Sequence, residues 1–534
     1  MDTRRLLRTG GIAFATAALL LSGCSGQDGS GQESNPDASP TSPRSSGSRA
    51  ADTARTLEPL PRQVPAELRP YYEQKLVWKE CDVAGFQCTE LRVPLDYGKP
   101  EKSEDLRLAV TRKKATGPGG RLGSLHVNPG GPGGSAVDYV QTAAGVGYPV
   151  PVRARYDIVG MDPRGVAGSE PVECLTNEEM DAYVRTDVTP DDQGEVEELA
   201  AAFEEFARSC EKREGRLLGH VSTVEAARDL DVLREALGDD RLTYVGASYG
   251  TFLGATYAGL FPHRVGRLVL DGAMDPSIGS RQLNLDQTAG FETAFKAFLK
   301  DCARREDCPL GSGGTGEAAR RLGDLLEELD ARPIGTGTPR RLTESLATTG
   351  VLNAMYTEYY WPRLRSALAA ARNGDGAELL ALADEYYDRG ADGSYGNIMY
   401  ANPAVNCLDL PAPYKGPDEA EKAVADFREA SPVFGRNFAW TALSCTYWQT
   451  PPTGEPRRIE AKGAGPILVI GTTRDPATPY RWAEGLAEQL SSGTLLTYDG
   501  DGHTAYVRGS DCVDSAVNDY LLRVRVPKDG TRCS

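Results

Sequence analysis

The feature that most constrains this chain is an apolar run that ends in a serine flanked by glycines. Residues 242–247 read Leu-Thr-Tyr-Val-Gly-Ala, and Ser248-Tyr249-Gly250 leads into a helix-compatible segment. This order predicts a strand, a tight turn and a helix with Ser248 at the apex, the arrangement called a nucleophile elbow. Glycines suit the flanking positions because such a turn leaves no room for side chains beside the serine. The pattern is short and the chain has 59 glycines, so its interpretation depends on the rest of the sequence.

The N-terminal 65 residues are expected to lie outside the folded part. A basic start and an apolar run up to Leu21 predict a signal peptide over residues 1–24. Its last residues, Leu-Ser-Gly-Cys24, resemble a bacterial lipobox and imply lipidation of Cys24; an ordinary signal peptide cleaved nearby is the alternative. Residues 25–65 are rich in Ser, Gly, Pro, Asp and Gln, which predicts a disordered tether.

This N-terminal region predicts an exported protein, anchored by lipid at the extracellular face of the cell membrane or shed to the medium. The Sec and twin-arginine routes of export both stay open. The net charge of −17 argues against nucleic acid or anionic lipid as a partner. Membrane contact is therefore expected through the lipid anchor only, and the oligomeric state is left open.

The cysteine content fits an oxidising compartment. The chain has 11 cysteines, and setting Cys24 aside leaves an even number. The count does not fix the connectivity, so pairing of sequence neighbours is the first hypothesis. The predicted disulfides are Cys81–Cys88, Cys174–Cys210, Cys302–Cys308, Cys407–Cys445 and Cys512–Cys533. No cysteine or histidine grouping has the spacing of zinc ligands, so structural disulfides are favoured over a metal site. No cofactor is expected either.

Alternating strand and helix patterns predict an α/β fold with a mostly parallel sheet. The first part of this core is expected over residues 66–275 and its C-terminal part over 454–534. Between them, residues 276–453 lack strand-like apolar runs and read as helices, which predicts an inserted helical lid. Two tandem domains are the alternative, but the C-terminal strands are too few to form a sheet alone.

Only one of the four histidines follows a late strand in a flexible loop. His503 lies in Asp-Gly-Asp-Gly-His-Thr, after a predicted strand at 494–498. An open α/β sheet places its active site at such a strand end. His126 lies inside a strand, His220 precedes a helix and His263 falls in a surface turn. We therefore expect His503 to be the base that takes the serine proton, with a surface loop histidine as the alternative.

The acid that orients the base is expected after the preceding strand. Asp475 stands in Gly-Thr-Thr-Arg-Asp-Pro-Ala-Thr-Pro, a loop stiffened by prolines after a predicted strand at 466–471. The chain order Ser248, Asp475, His503 is that of α/β-hydrolases. A helix cap is the alternative role for an aspartate before proline.

A glycine-rich loop after an early strand predicts an oxyanion hole. The loop reads Pro129-Gly-Gly-Pro-Gly-Gly-Ser135. A tetrahedral intermediate needs backbone N–H donors, and we assign Tyr249, which follows the nucleophile, and Gly131. Gly131 precedes Pro132, whose nitrogen cannot donate. A phosphate cradle is the rival interpretation, but the Gly-Lys-Ser/Thr ending of Walker-type loops is absent.

Together these motifs resemble the prolyl aminopeptidase branch of α/β-hydrolases, and within it the secreted bacterial tripeptidyl aminopeptidases. The resemblance rests on Asn-Pro-Gly-Gly-Pro-Gly-Gly-Ser, Asp162-Pro-Arg-Gly-x-x-Gly-Ser, Gly-x-Ser-Tyr-Gly, Gly-Thr-x-x-Asp-Pro-x-Thr-Pro and Gly-His503, and it covers nearly all of the chain from about residue 70. Pro129 replaces the usual histidine of His-Gly-Gly-Pro-Gly, while the donor glycines remain.

The resemblance implies release of short peptides from the free N-termini of peptides and proteins. Such an exopeptidase must bind the substrate ammonium group, and Glu358 and Asp409 in the lid are candidates, although most lid acids are expected to be solvated. A carboxylesterase or lipase of the same fold is one alternative. A tethered binding lipoprotein with an inactive hydrolase fold is another, although no catalytic part is missing. The number of residues removed and the preferred side chains stay open.

Overall fold

The structure, a computed structural model, describes residues 54–534. The predicted signal peptide, Cys24 and the tether up to residue 53 lie outside the described residues. The described strands are β1 (Arg55–Thr56), β2 (Lys79–Glu80), β3 (Gln87–Pro94), β4 (Asp105–Lys113), β5 (Gly123–Asn128), β6 (Tyr156–Met161), β7 (Leu242–Ala247), β8 (Val265–Asp271), β9 (Arg457–Arg458), β10 (Ile467–Arg474), β11 (Gly493–Asp501) and β12 (Thr531–Cys533).

The main sheet is mixed, with a parallel centre and an antiparallel edge. Its strand order is β12-β11-β10-β8-β7-β5-β6-β4-β3-β2. Neighbours from β12 to β6 are parallel, whereas β6 to β2 pair antiparallel. The order reverses beside β5, because β6 lies on one side of it and β7 on the other. Ligand sites in open α/β sheets lie at such a reversal.

Helices cover both faces of the sheet. The helices before β8 are α1 (Arg69–Tyr72), α2 (Ala136–Tyr139), α3 (Gly145–Gly147), α4 (Val150–Arg153), α5 (Asn177–Tyr183), α6 (Gln193–Leu218), α7 (Thr223–Ala236) and α8 (Tyr249–Leu260). Those between β8 and β9 are α9 (Ser280–Ala303), α10 (Thr315–Ala331), α11 (Glu344–Asn353), α12 (Trp361–Arg372), α13 (Ala377–Tyr386), α14 (Ile398–Asp409), α15 (Pro417–Ala430) and α16 (Gly435–Thr441). The last two are α17 (Tyr480–Gln489) and α18 (Asp511–Arg523).

The central strands are apolar throughout because both of their faces are covered. In β10, residues 467–470 are fully buried. Ile467 and Val469 join the apolar cluster that contains Leu230 of α7, whereas Leu468 and Ile470 join a second cluster with Val517 of α18. Continuous apolar runs are typical of such strands. Strands of this kind are the ones that the sequence predicts.

The antiparallel strands β3 and β4 were not among the predicted strands. Their apolar side chains alternate, with Leu91, Val93, Leu106 and Leu108 buried and the intervening residues mostly exposed. This is the pattern of a sheet edge with one covered face. The sheet is therefore larger and more mixed than the apolar runs alone indicate.

The segment between β8 and β9 consists of helices, short 3-10 turns and isolated bridges within the described chain. Helices α9 and α10 contain the two predicted helical segments, residues 290–302 and 318–329. Helix α9 approaches the core at Gly290, where a Cβ atom would lie 2.5 Å from the Pro476 carbonyl oxygen. The helical insertion therefore packs directly on the loop that carries Asp475.

The predicted tether ends earlier than the sequence indicates. Residues 55–56 form β1, which pairs in parallel with β9. The Leu57 N–H donates to the Arg458 carbonyl, and the Leu60 N–H donates to the Leu260 carbonyl. Leu57 also packs against the apolar core. Ordered structure thus begins by residue 55, because two leucines in a polar segment find partners on β9 and α8.

Five disulfides are present, and they join the pairs predicted from the sequence. They are Cys81–Cys88, Cys174–Cys210, Cys302–Cys308, Cys407–Cys445 and Cys512–Cys533. Cys407–Cys445 links α14 to the turn after α16, and Cys512–Cys533 links α18 to β12. Each bridge is local in the chain, so pairing of sequence neighbours was the right hypothesis.

Candidate active site

Ser248 sits at a strained turn between β7 and α8. Its backbone has φ 57° and ψ −127°, outside the regions that L-residues normally adopt. The Ser248 N–H donates to the Asp271 carbonyl at 2.9 Å, and the Ser248 carbonyl accepts from the Thr251 N–H at 2.8 Å. These bonds hold the turn in place, and the strain marks Ser248 as a functional candidate.

The flanking glycines are required by close contacts. A Cβ atom on Gly246 would lie 2.3 Å from the Gly250 carbonyl oxygen. One on Gly250 would lie 2.8 Å from the Asn128 carbonyl oxygen. A larger residue at position 250 would collide with β5, and one at position 246 would collide with the elbow itself, so the Gly-x-Ser-x-Gly spacing is a steric requirement of this turn.

His503 and Asp475 are brought together at the ends of neighbouring strands. His503 follows β11 and Asp475 follows β10, and the imidazole Nδ1 lies 2.9 Å from Asp475 Oδ1 and 3.0 Å from Oδ2. Asp475 is fully buried and also accepts N–H bonds from Ala477, Thr478 and Thr504. With Nδ1–H donated to the carboxylate, Nε2 is left as the basic nitrogen.

No hydrogen bond joins the Ser248 hydroxyl to His503 within residues 54–534. Ser248 and His503 both lie beside the end of β8. Asp271 accepts the Ser248 N–H, and a Cβ atom on the next residue, Gly272, would lie 3.3 Å from His503 Cε1. Catalytic hydrogen bonds are often long without substrate and tighten when it binds.

The glycine loop lies against the elbow. A Cβ atom on Gly130 would be 2.9 Å from Ser248 Cβ and 3.1 Å from the Tyr249 nitrogen. The Gly130 N–H donates to Asn128 Oδ1, whereas no acceptor for the Gly131 N–H is present in the described part of the chain. Tyr249 is the first residue of α8, so its N–H has no acceptor within the helix. Neither predicted oxyanion donor thus has an acceptor among the described residues, and the loop residue that approaches Ser248 is Gly130, the neighbour of Gly131.

The other three histidines do not contact Ser248. His126 is buried in β5, and desolvation lowers its pKa to about 3. His263 is exposed in the turn after α8 and contacts Arg62. His220 Nδ1 lies 3.4 Å from Glu225 Oε1. Each has a location that agrees with its exclusion as the base.

A nucleophile, an oriented imidazole and two backbone donors in the loops that follow β5, β7, β10 and β11 suit acyl transfer. A family model described as TAP-like protein matches residues 431–533, which include Asp475 and His503. Serine protease Hip1 of Mycobacterium tuberculosis is 38% identical over 487 residues, covering 87% of this chain and 92% of its own length. Tripeptidyl aminopeptidase of Streptomyces lividans is 31% identical over 474 residues, covering 86% of each chain. This chain belongs to the TAP-like serine peptidases of the α/β-hydrolase family.

One relative of the TAP-like chain carries the name of a different activity. Carboxylesterase B of Mycobacterium tuberculosis is 39% identical over 495 residues, covering 90% of this chain and 93% of its own. Esterases and peptidases of this fold share the acyl-transfer machinery. The shared machinery alone therefore does not distinguish a peptidase from an esterase.

The two candidate lid acids of this TAP-like peptidase lie in different surroundings. Asp409, at the end of α14, is 8% exposed. It accepts the Thr223 N–H at 2.8 Å and the Thr223 hydroxyl, which also contacts the Tyr249 hydroxyl. Burial raises the pKa of Asp409 to about 7. The Asp409 carboxyl is thus connected to the residue that follows Ser248.

Glu358 lies on the His503 side of the site and is exposed. It follows Tyr356, whose carbonyl accepts the His503 N–H at 2.9 Å and whose ring meets the imidazole edge-on at 5.5 Å. Partial burial raises the pKa of Glu358, and Asp501 and Asp301 act in the same direction. The structure does not bring Glu358 and Asp409 together.

The motif that begins at Asp162 supports the site without being part of it. The Asp162 carboxylate accepts from the Ser135 hydroxyl at 2.8 Å, from the Val137 N–H at 3.0 Å and from the Gly168 N–H at 3.1 Å. Burial raises its pKa to about 6. Asp162 thereby fixes the far end of the glycine loop, a role that the sequence motif alone did not indicate.

Proposed function

We propose that the protein releases tripeptides, or similarly short peptides, from free N-termini through a Ser-His-Asp acyl-enzyme mechanism. The observation that carries the mechanism is the strained Ser248 at the end of β7, two strands from a buried Asp475–His503 pair. The tripeptide product is suggested by the tripeptidyl aminopeptidases of Streptomyces, which are 31% and 32% identical to this chain.

In the proposed reaction, the Ser248 hydroxyl attacks the scissile carbonyl while His503 Nε2 takes its proton. Asp475, hydrogen-bonded to Nδ1, holds the ring and stabilises the imidazolium that forms. The Gly131 and Tyr249 N–H groups donate to the oxyanion. The imidazolium then gives its proton to the leaving amine, and water activated by His503 hydrolyses the acyl-enzyme.

An exopeptidase must also recognise the substrate ammonium group. We propose that a lid acid does so, with Asp409 or Glu358 as the residue. Asp409 is buried and connected through Thr223 to Tyr249, and Glu358 lies near His503. An ammonium group that enters a partly desolvated site needs a carboxylate partner, because an unpaired buried charge costs several kcal/mol.

The location that we propose is the extracellular face of the cell membrane, with Cys24 as the lipidated residue and with shedding to the medium as the alternative. The proposal rests on the lipobox-like sequence at residues 21–24. Among the helices of residues 54–534, none has the length and apolar character required to cross a bilayer. Replacing Cys24 with Ser should move the enzyme from the membrane fraction to the medium without changing its turnover.

The activity is tested with matched peptides of four to six residues, free or acetylated at the N-terminus. Mass spectrometry should find the first three residues released from free peptides and little release from acetylated ones. Asp409→Asn or Glu358→Gln should reduce the preference for free peptides by about 10-fold, while hydrolysis of a small activated ester is retained. Equal cleavage of free and acetylated peptides would contradict the exopeptidase proposal.

A carboxylesterase is the second candidate, favoured by the 39% identity to Carboxylesterase B. It would cleave acyl esters with a kcat/KM far above that for any peptide, and N-acetylation would not matter. The same substrate panel therefore separates the two functions. Under either function, the Ser248→Ala variant should hydrolyse neither peptides nor esters.

A further inference from the structure

The loop after His503 is held by a series of carboxylates. Thr504 and Val507 both have positive φ, 66° and 62°, so this loop has an unfavourable backbone that needs external support. The Thr504 N–H donates to Asp475 Oδ2 at 3.1 Å, and the Val507 N–H donates to Asp514 Oδ1 at 2.7 Å. Between them, the N–H groups of residues 505 and 506 point to a third carboxylate.

That carboxylate belongs to Asp271, the last residue of β8. The Ala505 N–H lies 3.0 Å from Asp271 Oδ1 and 3.1 Å from Oδ2, and the Tyr506 N–H lies 2.8 Å from Oδ2. Asp271 is 2% exposed. Both of its oxygens accept N–H groups, so the hydrogen bonds favour the ionised carboxylate.

The backbone of Asp271 contacts the nucleophile. Asp271 is paired with Ala247 of β7 on one side and with Ile470 of β10 on the other. Its carbonyl accepts the Ser248 N–H at 2.9 Å. One residue therefore joins the serine turn through its main chain to the histidine loop through its side chain.

We propose that Asp271 is a positioning residue that sets His503 against Ser248 and that places a second negative charge behind the imidazolium. This inference rests on the proposed function, in which Ser248 and His503 act as nucleophile and base. Asp271 differs from the carboxylates that cap Thr504 and Val507, because only Asp271 also hydrogen-bonds to the serine turn.

The charges around the imidazole agree with this role. His503 Nδ1 contacts Asp475 from the loop after β10, the Tyr356 ring meets the imidazole from the helical insertion, and Asp271 accepts the N–H groups of residues 505 and 506 from the end of β8. Burial raises the pKa of Asp271, while the N–H groups of Tyr506 and Ala505, His503 and Arg508 act in the opposite direction. Arg508 also donates to the Thr504 hydroxyl at 3.3 Å. An ionised Asp271 and an imidazolium at His503 attract each other.

The test is the pH dependence of the rate at which a fluorophosphonate probe labels Ser248, because labelling needs the base but no peptide specificity. Asp271→Asn keeps one acceptor oxygen and loses the charge. We expect labelling at neutral pH to slow by about 10- to 100-fold, and the acidic limb of the profile to move about 0.5–1 pH unit lower. Asp514→Asn is the matched control, because it likewise keeps one acceptor oxygen for the Val507 N–H and loses the charge. It should leave the limb in place and change the rate less than about 3-fold.

The outcomes separate this inference from the proposed function. If His503→Ala is labelled as fast as the unmodified protein, His503 is not the base, and the proposed mechanism itself fails. If His503→Ala is inactive and Asp271→Asn lowers only the melting temperature, with an unmoved acidic limb, Asp271 is a simple cap and the inference fails. Should Asp271→Asn not fold, Asp271→Glu keeps the charge. It should label more slowly with the acidic limb unmoved, and a limb moved to lower pH would overturn the inference.

Discussion

The loops that end the central strands and the helical insertion hold their buried carboxylates differently. Asp475 accepts three backbone N–H groups and the imidazole, and Asp271 accepts N–H groups from two residues. Asp409, on lid helix α14, accepts one N–H and one hydroxyl, both from Thr223. Burial raises the pKa of Asp409 to about 7.

Backbone donors fix an acceptor in both position and charge, because they cannot rotate away or donate elsewhere. A hydroxyl can reorient, and the Thr223 hydroxyl is shared with Tyr249. The strand-end carboxylates are therefore suited to orienting a base. The lid carboxylate is suited to a change of protonation or of partner, as recognition of a substrate ammonium group would require.

The largest expected effect comes from removing the nucleophile at the strand-end site. Ser248→Ala should lower kcat on the order of 10⁵-fold, because loss of one triad member costs about as much as loss of all. Folding should be unchanged, since the Ser248 hydroxyl makes no hydrogen bond in residues 54–534. The measurement is kcat on the preferred peptide, with the melting temperature as control. Retained turnover would remove Ser248 from the mechanism.

Removing the acid should have the next largest effect. Asp475→Asn should lower kcat by about 10⁴-fold, because the amide no longer selects the imidazole tautomer with a free Nε2. Asp501→Asn is the matched control, since Asp501 lies two residues before His503 but bonds to Arg474 Nε at 2.8 Å. A control variant as impaired as Asp475→Asn would show that the loop, and not the acid, matters.

These strand-end residues could be predicted because each follows an apolar run that is legible in the sequence. Ser248 follows β7, Asp475 follows β10 and His503 follows β11. Asp271 also follows such a run, in β8, but its role depends on the N–H groups of residues 505 and 506, and nothing in the local sequence indicates a partner so distant in the chain.

The edge strands and the lid were less predictable for physical reasons. Strands β3 and β4 bury one face only, so their apolar residues alternate and give a weaker signal than a continuous run. In the lid, burial of an acid is decided by packing between helices. Glu358 and Asp409 are both acids in helical, aromatic-rich surroundings, yet one is exposed and the other is buried.

A disulfide in the helical insertion is expected to contribute to the stability of the protein. Cys407–Cys445 spans 38 residues and anchors α14 two residues before Asp409. Replacing both cysteines with serine should lower the free energy of unfolding by about 3–4 kcal/mol, because the unfolded chain gains loop entropy. Cys302–Cys308, with a separation of 6 residues, should cost less, about 2 kcal/mol. Urea unfolding measures both; an equal loss would contradict the dependence on loop length.

The smallest effect per step of the measurement, here one pH unit, concerns the protonation of Asp409. Its pKa is raised from 3.8 to about 7 by burial, so between these values the folded chain holds a proton that the unfolded chain has released. Stability due to this group is therefore present at low pH and falls as pH rises to about 7. Asp409→Asn removes this pH dependence of the free energy of unfolding. The free energy of unfolding of the variant minus that of the unmodified protein should therefore rise by at most about 1.4 kcal/mol per pH unit between about pH 4 and 7.

Urea unfolding at several pH values measures this difference, with Glu358→Gln as the exposed control. The control should show the same trend with a smaller slope, because the pKa of Glu358 is raised by partial burial but its side chain stays exposed to solvent. Parallel stability profiles for Asp409→Asn and the unmodified protein would mean that Asp409 is as ionised in the folded chain as in the unfolded one. The lid carboxylate would then be held as firmly as those at the strand ends, and the contrast between the two regions would be lost.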